Sequence, residues 1–363
     1  MTTAGAKSTC GLCMIVKNEE NTLKCCLESV KDLFDEIIIV DTGSSDDTVN
    51  IARLFTDKVH HFLWTDNFSE ARNYAFSLAT TDYAVWLDAD DIIPPESFGD
   101  WKELIASLDT EIPDMVYLPY NVGFDEGGQP SLTFERERLI RLNAGHSFIG
   151  AIHEAIPPSG RIIHRLASVS HMGKKNRDPK RNIRIFQKLL DEGCELSPRE
   201  KYYYARELGY SGRLDEAELF YSLCLEDKEA WIENRLSSCI ELGDLCLRRN
   251  KREQALKYYL KSLELSSPRS DVCCRLGQIF MDNANYEQAR FWYELAPLVH
   301  KNVGLSFIPR DYGGYIPYLQ LTVIADRLDD RQSAIKYNEM AGSFKPYGRE
   351  YLWNKEYFIS KID

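Results

Sequence analysis

The chain has 363 residues, 44% of them hydrophobic, so it is long enough for two domains with sizeable cores. Its twenty Tyr, sixteen Phe and six Trp exclude a disordered chain. Asp and Glu outnumber Lys and Arg by 56 to 44, and the net charge of −12 argues against a nucleic-acid-binding protein, which would need a basic face.

Membrane and secretion signals are not found in the sequence. No apolar stretch approaches the roughly 18 residues that a transmembrane helix requires. Residues Met1–Lys7 lack the apolar centre of a signal peptide. The predicted location is therefore the cytoplasm.

Strand and helix signals alternate through the first 90 residues. Continuous apolar runs predict strands, and runs with helical spacing lie between them. The strands are expected at 12–16, 36–40, 59–64 and 83–87, and the helices at 20–30, after the turn at 41–46, and at 69–79. This alternation predicts a parallel sheet covered on both faces.

Cys10 and Cys13, at the first predicted strand, have the spacing of a CxxC motif. Neither a second CxxC nor a pair of histidines follows to complete a zinc site. Buried free thiols are predicted instead of zinc ligands.

Polar residues follow three of these strands directly. Lys17-Asn18-Glu19 follows the first strand, Asp41 the second and Asp88 the fourth. Because ligands bind at the carboxyl ends of parallel strands, these residues are expected to converge on one edge of the sheet.

Three carboxylates stand close together in Asp88-Ala89-Asp90-Asp91. Their mutual repulsion destabilises the fold unless a cation or ligand uses them. Hard oxygen ligands of this kind suit Mg²⁺ or Mn²⁺, usually shared with substrate phosphates.

Residues 115–170 are predicted to be rich in strands, at 115–120, 133–142 and 162–170. Asp178 and Pro179 then predict a helix start, with Asp as N-cap and Pro in the first turn. Gly193 is expected to end that helix, whose apolar stripe comprises Ile183, Phe186, Leu189 and Leu190.

Small residues recur with a period of 34 residues after residue 198. Gly243 and Gly277 are 34 residues apart, and so are Ala255 and Ala289. Ala205 and Ala217 have the same 12-residue offset as Gly243 and Ala255. Further small residues recur at 334 and 341, and the stretch 306–317 interrupts the array. The spacing resembles the tetratricopeptide repeat; unrelated helical hairpins are the alternative.

Residues 10–175 resemble the glycosyltransferase family 2 domain, a GT-A fold. Four segments carry the resemblance, in the expected order: Met14–Glu20, Ile39–Asp46, Phe68–Asn73 and Leu87–Asp91. It extends to a bacterial branch with C-terminal tetratricopeptide-like helices, which includes enzymes that glycosylate peptides. The fold class it implies is α/β: a GT-A (Rossmann-like), mostly parallel sheet domain at 1–175, a connecting helix at 176–197 and an α-helical tetratricopeptide-like domain at 198–363.

The resemblance implies an inverting, metal-dependent glycosyltransferase that uses a nucleotide sugar, expected to be UDP-linked, with Mn²⁺ or Mg²⁺. The relatives and the repeats favour a peptide or protein acceptor, at Ser, Thr or Cys. A saccharide or lipid-linked acceptor stays open, as does a homodimer formed through the repeats.

Within the resemblance, Asp41 matches the carboxylate that binds the uracil ring or ribose; a turn aspartate beside Gly43 is the alternative. Val16, Lys17 and Glu20 lie at the exit of the first strand and are expected at the nucleotide. For Lys17 and Glu20, a cap of the next helix is the equal alternative.

Arg72 matches a basic residue near the base and diphosphate, and a surface arginine is the alternative. Asp88 and Asp90 match the DxD motif around Ala89: Asp90 binds the metal, and Asp88 meets ribose or metal-bound water. Asp91 is expected only to cap the following helix.

Glu154 falls where the family places its catalytic base. The alternative is an ion pair between Glu154 and Arg161 or Arg165. His171 is a candidate third metal ligand or a core histidine.

Lys175 and Arg177 belong to a basic cluster that is placed to close over the diphosphate. A solvated helix start is the alternative for the same charges.

Two other functions compete with this hypothesis. A sugar nucleotidyltransferase has a similar sheet but needs a glycine-rich loop after the first strand, where this chain has Lys17–Glu20. The second is a scaffold whose repeats bind a partner beside an inert first domain.

Overall fold

The computed structural model describes residues 7–173, 178, 180–300 and 307–360. The chain forms two compact units. The first comprises residues 1–123 and 134–195, and the second comprises 124–133 and 196–363.

Four parallel neighbours form one side of the sheet in the first unit: β1 (Cys10–Val16), β2 (Glu36–Asp41), β3 (Val59–His61) and β4 (Tyr83–Trp86). The helices α1 (Leu23–Val30), α2 (Thr48–Ala52) and α3 (Phe68–Ser77) alternate with them, as predicted. Their order is β3-β2-β1-β4. β3 ends three residues earlier than expected, and the backbone turns at Asp66, where φ is 63°.

The strands form because their side chains are apolar on both faces. Leu12, Met14, Ile38, Ile39 and Val40 are completely buried. Cys10 and Cys13 are buried thiols in β1, and burial raises the pKa of Cys13 to about 12.

The rest of the sheet is mixed. It contains β5 (Asp91–Ile92), β6 (Met115–Phe124), β7 (Pro130–Arg141), β8 (Ile162–His164) and β9 (Val169–His171), and α4 (Phe98–Glu111) lies between β5 and β6 in the chain. β7 runs antiparallel to β4, and β9 runs parallel to β6 and antiparallel to β5.

The single strand predicted at 162–170 is wrong, because β8 and β9 are separate. Between them the backbone N–H of Ser168 donates to the side chain of Ser97 instead of to a strand, at 2.6 Å. Leu166 in the same interval is 81% exposed.

The helix predicted after Asp178 is α5 (Arg181–Asp191). The predicted cap is wrong, because the N-cap residue is Lys180 and the carboxylate of Asp178 accepts from the Lys180 N–H at 2.9 Å. Ile185 and Phe186 are the buried residues of α5. Of the predicted apolar stripe, Phe186 is buried, and Ile183, Leu189 and Leu190 are only partly buried.

The second unit is a run of helices: α6 (Pro198–Tyr210), α7 (Leu214–Glu226), α8 (Ile232–Arg248), α9 (Arg252–Leu265), α10 (Ser270–Asp282), α11 (Tyr286–Val299), α12 (Tyr315–Arg327), α13 (Arg331–Phe344) and α14 (Arg349–Ser360). The first eight pack as four consecutive hairpins. None of the described helices is both long and apolar enough to cross a membrane.

Small residues set the packing of each hairpin. A fully buried alanine is the fourth residue of every second helix: Ala217, Ala255, Ala289 and Ala334. Gly243 and Gly277 lie against the rings of Tyr259 and Tyr293, so closely that an added Cβ would be 2.3 and 2.8 Å from ring atoms. The 34-residue period therefore corresponds to repeated hairpin contacts.

The predicted interruption at 306–317 ends earlier than expected. A 3₁₀ turn spans Arg310–Gly313, and α12 begins at Tyr315, so Pro317 lies in the first turn of that helix.

Candidate active site

The two loops that follow β1 and β2 hold each other in place. The Asn18 N–H donates to Ser44 Oγ at 2.9 Å, and Ser45 N–H donates back to Asn18 Oδ1 at 2.8 Å. Glu19 N–H donates to Thr48 Oγ1 at 2.6 Å. Val16 and Asp41, the last residues of β1 and β2, are partners in the ladder. The loops after β1 and β2 therefore meet at one edge of the sheet, as the strand pattern predicted.

A cavity of about 530 Å³ opens at this edge of the sheet. Its walls come from the β1 and β4 ends, α3, the segment before β8 and the start of α5. Seven residues predicted for the site line it: Val16, Lys17, Arg72, Asp88, Ala89, Asp90 and Glu154.

Asp41 and Glu20 are not among the described residues that line the cavity. The Asp41 carboxylate accepts from the backbone N–H groups of Gly43 and Ser44 at 3.1 Å, which are the contacts of a turn aspartate. Glu20 accepts from the N–H of Asp47 at 3.2 Å. Glu20 thus contacts the start of α2 and not the start of α1, which is the helix that follows Glu20 in the chain.

Asp91 is the buried centre of the acidic motif, completely inaccessible to solvent. Its Oδ2 accepts from the backbone N–H of Asp88 at 3.0 Å and lies 3.2 Å from Arg138 Nη1. Its Oδ1 accepts from the Tyr120 hydroxyl at 2.7 Å. The prediction that Asp91 only caps a helix is wrong, because this carboxylate organises the whole motif.

Burial and, after it, the charge of Asp91 raise the pKa of Tyr120 well above its usual value. Tyr120 therefore stays protonated and donates to Asp91. The imidazole Nδ1 of His171 lies 3.2 Å from Asp91 Oδ1 and 3.6 Å from Asp90 Oδ1.

Asp90, Asp91 and His171 present donor atoms that all lie within 4.8 Å of one another. Carboxylate oxygens and an imidazole nitrogen fit a divalent ion such as Mn²⁺. Asp91 also accepts from the Tyr120 hydroxyl and from the backbone N–H of Asp88, and it forms an ion pair with Arg138. The Oδ1 of Asp88, the third predicted ligand, is 2.7 Å from Arg72 Nη2.

Arg72 is buried, with 5% of its surface exposed, so the surface alternative is wrong. Its Nε donates to Glu154 Oε1 at 2.6 Å and its Nη2 donates to Asp88 Oδ1 at 2.7 Å. Burial alone would lower its pKa, but Asp88 and Glu154 outweigh that effect and raise it. Its buried Nη1 has no hydrogen-bond partner among the described residues.

Glu154 forms its ion pair with Arg72, not with Arg161 or Arg165, the alternatives inferred from sequence. Arg165 instead pairs with Glu111. Glu154 follows His153, whose φ of 52° places this short segment outside regular structure. Lys175 and Arg177, predicted to close over a diphosphate, lie outside the described residues.

Sequence reasoning missed the arginines of β7. The guanidinium groups of Arg72, Arg136 and Arg138 lie 4.4, 4.9 and 3.9 Å from the centre of the Trp86 ring. Glu137 and Arg138 are charged residues at buried positions of a strand. The run of charged residues Glu135–Arg138 inside a predicted strand could have indicated these arginines, because charges that a strand buries need partners.

Comparison with known proteins agrees with both halves of the structure. Residues 12–163 match the family model of Glycosyl transferase family 2, and residues 236–268 and 270–296 match the tetratricopeptide repeat. The chain thus contains a family 2 glycosyltransferase domain of GT-A type, followed by tetratricopeptide repeats.

Two curated relatives match parts of the chain. The SPbeta prophage-derived glycosyltransferase SunS of Bacillus subtilis (strain 168) is 30% identical over 276 residues, which are 72% of this chain and 63% of SunS. A TPR repeat-containing protein of Synechococcus elongatus is 39% identical over 155 residues, 42% of this chain and 37% of that protein. The chain therefore spans less than two thirds of either relative.

Among solved structures, glucosyl-3-phosphoglycerate synthase from Mycobacterium tuberculosis, in complex with Mg²⁺ and uridine diphosphate, is 28% identical. The match covers 32% of this chain and 44% of that one, with a TM-score of 0.28.

Proposed function

We propose that this protein is an inverting, metal-dependent glycosyltransferase that takes its sugar from a UDP-linked donor. The observation that carries the proposal is the convergence of Asp88, Asp90, Arg72 and Glu154 on one cavity at the carboxyl edge of the sheet. Ligands bind at this edge in open α/β sheets.

Charge supports a diphosphate ligand beside a cation. The buried Nη1 of Arg72 retains a hydrogen that no described residue accepts, and leaving such a donor unsatisfied destabilises a protein. A phosphate or base oxygen in the cavity is a suitable acceptor. Asp90 and His171 would hold Mn²⁺ or Mg²⁺, which stabilises the charge that develops on a leaving diphosphate.

Glu154 is proposed as the base. It accepts the proton of an acceptor hydroxyl or thiol, whose oxygen or sulfur then bonds to C1 of the sugar. The bond from C1 to the diphosphate oxygen breaks, its electron pair leaves with the diphosphate, and the configuration at C1 inverts. Val16, Lys17 and Ala89 line the cavity and would contact the nucleotide.

The donor class can be tested by thermal stability. UDP-, GDP-, CMP- and dTDP-sugars are each added with Mn²⁺ or with EDTA, because a ligand that binds only the folded state raises the melting temperature. We expect a rise with UDP-sugars that EDTA abolishes. No rise with any nucleotide would contradict the proposal and favour the scaffold alternative.

For the acceptor, we propose a peptide or protein modified at Ser, Thr or Cys. Four consecutive helical hairpins support this, since such arrays offer extended surfaces for binding chains. Incubating the full chain with a UDP-sugar and Ser-, Thr- or Cys-containing peptides should give glycopeptides by mass spectrometry. Transfer only to a saccharide or lipid-linked acceptor would overturn the peptide assignment and keep the enzyme class.

A homodimer also stays a prediction. Leu352, Trp353 and Ile359 on α14 are 42%, 69% and 60% exposed and are the first candidates for such a contact. Light scattering of the protein and of Trp353→Glu decides it: a dimer that the variant loses supports the prediction, and a monomer in both contradicts it.

A further inference from the structure

The helix α3 holds the segment that carries Glu154. The backbone N–H of Phe68 donates to Ala151 O at 2.8 Å. Asn73 exchanges two hydrogen bonds with the backbone of Phe148, at 2.8 and 3.0 Å. Ile149 and Ala155 close the segment with an isolated bridge. The position of Glu154 is therefore determined largely from α3.

Within this arrangement the Arg72 guanidinium lies between two carboxylates. It uses different nitrogens for each: Nε for Glu154 and Nη2 for Asp88. A guanidinium is planar, and its donors point in fixed directions. A shift of one carboxylate therefore changes the hydrogen bond that the other receives.

The plane of the guanidinium is itself held. It lies 4.4 Å from the ring centre of Trp86 and 5.6 Å from that of Phe148. Trp86 is 2% exposed, and its Nε1 donates to Glu137 O at 2.5 Å. Arg72 cannot swing into solvent to release one partner and keep the other.

From these contacts we propose that Arg72 is a positioning residue that couples the donor side of the site to the base. Under the proposed function, Asp88 would contact the nucleotide and Glu154 would contact the acceptor. A nucleotide that binds beside Asp88 thereby changes how firmly Arg72 holds Glu154. The inference rests on the proposed function and adds the connection between its two halves.

The coupling predicts an effect that a separate base would not have. Glu154→Gln removes one of two negative charges shared by Arg72, so the guanidinium interacts more strongly with a bound diphosphate. We expect Glu154→Gln to bind UDP, in the presence of Mn²⁺, about fivefold more tightly, at the low end of measured couplings between sites. In an Arg72→Met background the same change should alter the dissociation constant less than about twofold.

Titration calorimetry with UDP and Mn²⁺ measures these constants in four proteins: the wild type, the two single variants and the double variant. Arg72→Lys with and without Glu154→Gln is the matched control, because lysine keeps the charge without the fork. If Glu154→Gln tightens UDP binding as much in the Arg72→Lys background as in the wild type, a positive charge alone explains the effect, and the proposal that the guanidinium connects the two carboxylates is overturned. An unchanged UDP affinity in Glu154→Gln would overturn the proposal outright.

A stability cycle separates this failure from that of the proposed function, and it needs no ligand. Asp88→Asn and Glu154→Gln should be non-additive in the free energy of unfolding, whereas Asp41→Asn and Glu154→Gln should be additive. If Arg72→Met does not fold, the lysine series carries the test. If Asp88→Asn and Glu154→Gln are non-additive but the protein does not bind UDP, Arg72 still connects the two carboxylates and the UDP-linked donor is rejected. If Asp88→Asn and Glu154→Gln are additive, the connection through Arg72 is itself rejected.

Discussion

Arg138 and Asp91 form an ion pair of 3.2 Å in which the two side chains are 1% and 0% exposed. The pair connects Arg138 to the acidic motif itself, because Asp91 belongs to that motif and also accepts from the backbone N–H of Asp88. A charged residue of β7 thus supports the loop that follows β4.

Arg138→Met should be strongly destabilising because it leaves the Asp91 charge buried without its partner. We expect a loss of about 3–5 kcal/mol in the free energy of unfolding, measured by chemical denaturation. Arg141→Met is the control, since Arg141 is 42% exposed and lies 3.5 Å from Asp114, and it should cost less than about 1 kcal/mol. Equal losses in the two variants would contradict the role assigned to the buried pair.

The proposed cation site predicts a metal-dependent stability. Mn²⁺ should raise the melting temperature of the wild type, and Asp90→Asn or His171→Ala should remove most of that rise, because each deletes one proposed ligand. Glu28→Gln is the control, as its 57% exposed side chain pairs only loosely with Lys24 at 3.9 Å. A rise that survives in both ligand variants would place the ion elsewhere.

Two glycines of the helical array should respond oppositely to alanine. A Cβ at Gly243 would lie 2.3 Å from the Tyr259 ring, so Gly243→Ala should destabilise the second unit by about 1–3 kcal/mol. A Cβ at Gly209 would meet Ala217 Cβ at 4.0 Å, an ordinary contact. Gly209→Ala should therefore stabilise by up to about 1 kcal/mol through helix propensity. Thermal denaturation of the two variants decides; destabilisation by both would refute the packing argument.

The carboxylate of Glu36 should account for part of the loss of folding stability at acid pH. Its carboxylate interacts with Lys58 and accepts from Thr80 N–H at 2.9 Å; burial opposes ionisation, but these bonds together lower its pKa below 4.5. As the pH falls, Glu36 is therefore protonated in the unfolded chain at a higher pH than in the folded protein. The contribution is complete above about pH 4.5 and is lost as the pH falls through the folded-state value.

Glu36→Gln should reduce the fall in the free energy of unfolding, the acid limb, that chemical denaturation shows between about pH 7 and about pH 3. These pH values bracket the ordinary pKa range of carboxyl groups. The control is Glu28→Gln, which should leave the limb unchanged. An acid limb of equal slope in Glu36→Gln would assign the sensitivity to other carboxylates.

Much of this protein was predictable from local pattern. Apolar runs and their alternation with helices predicted the four parallel strands β1 to β4, because burial on both faces requires continuous apolar residues. The positions of Lys17, Asp41 and Asp88 directly after strand ends predicted that they meet at one edge of the sheet. Lys17 and Asp88 line the cavity there, and Asp41 does not. The 34-residue spacing of Gly and Ala predicted the hairpins, since close helix packing requires small residues at fixed intervals.

What only the tertiary structure decided was the pairing of charges across the sheet. Glu154 and Arg72 are 82 residues apart, and Arg138 and Asp91 are 47 apart, so no local pattern connects them. The structural alternative to a catalytic base was an ion pair of Glu154 with its neighbours Arg161 or Arg165, whereas the fold brings Arg72 of α3 against the segment before β8. Ion pairing depends on distance in space and on burial. These are set by the strand order β4-β7-β6-β9-β5, which the residue pattern alone does not specify.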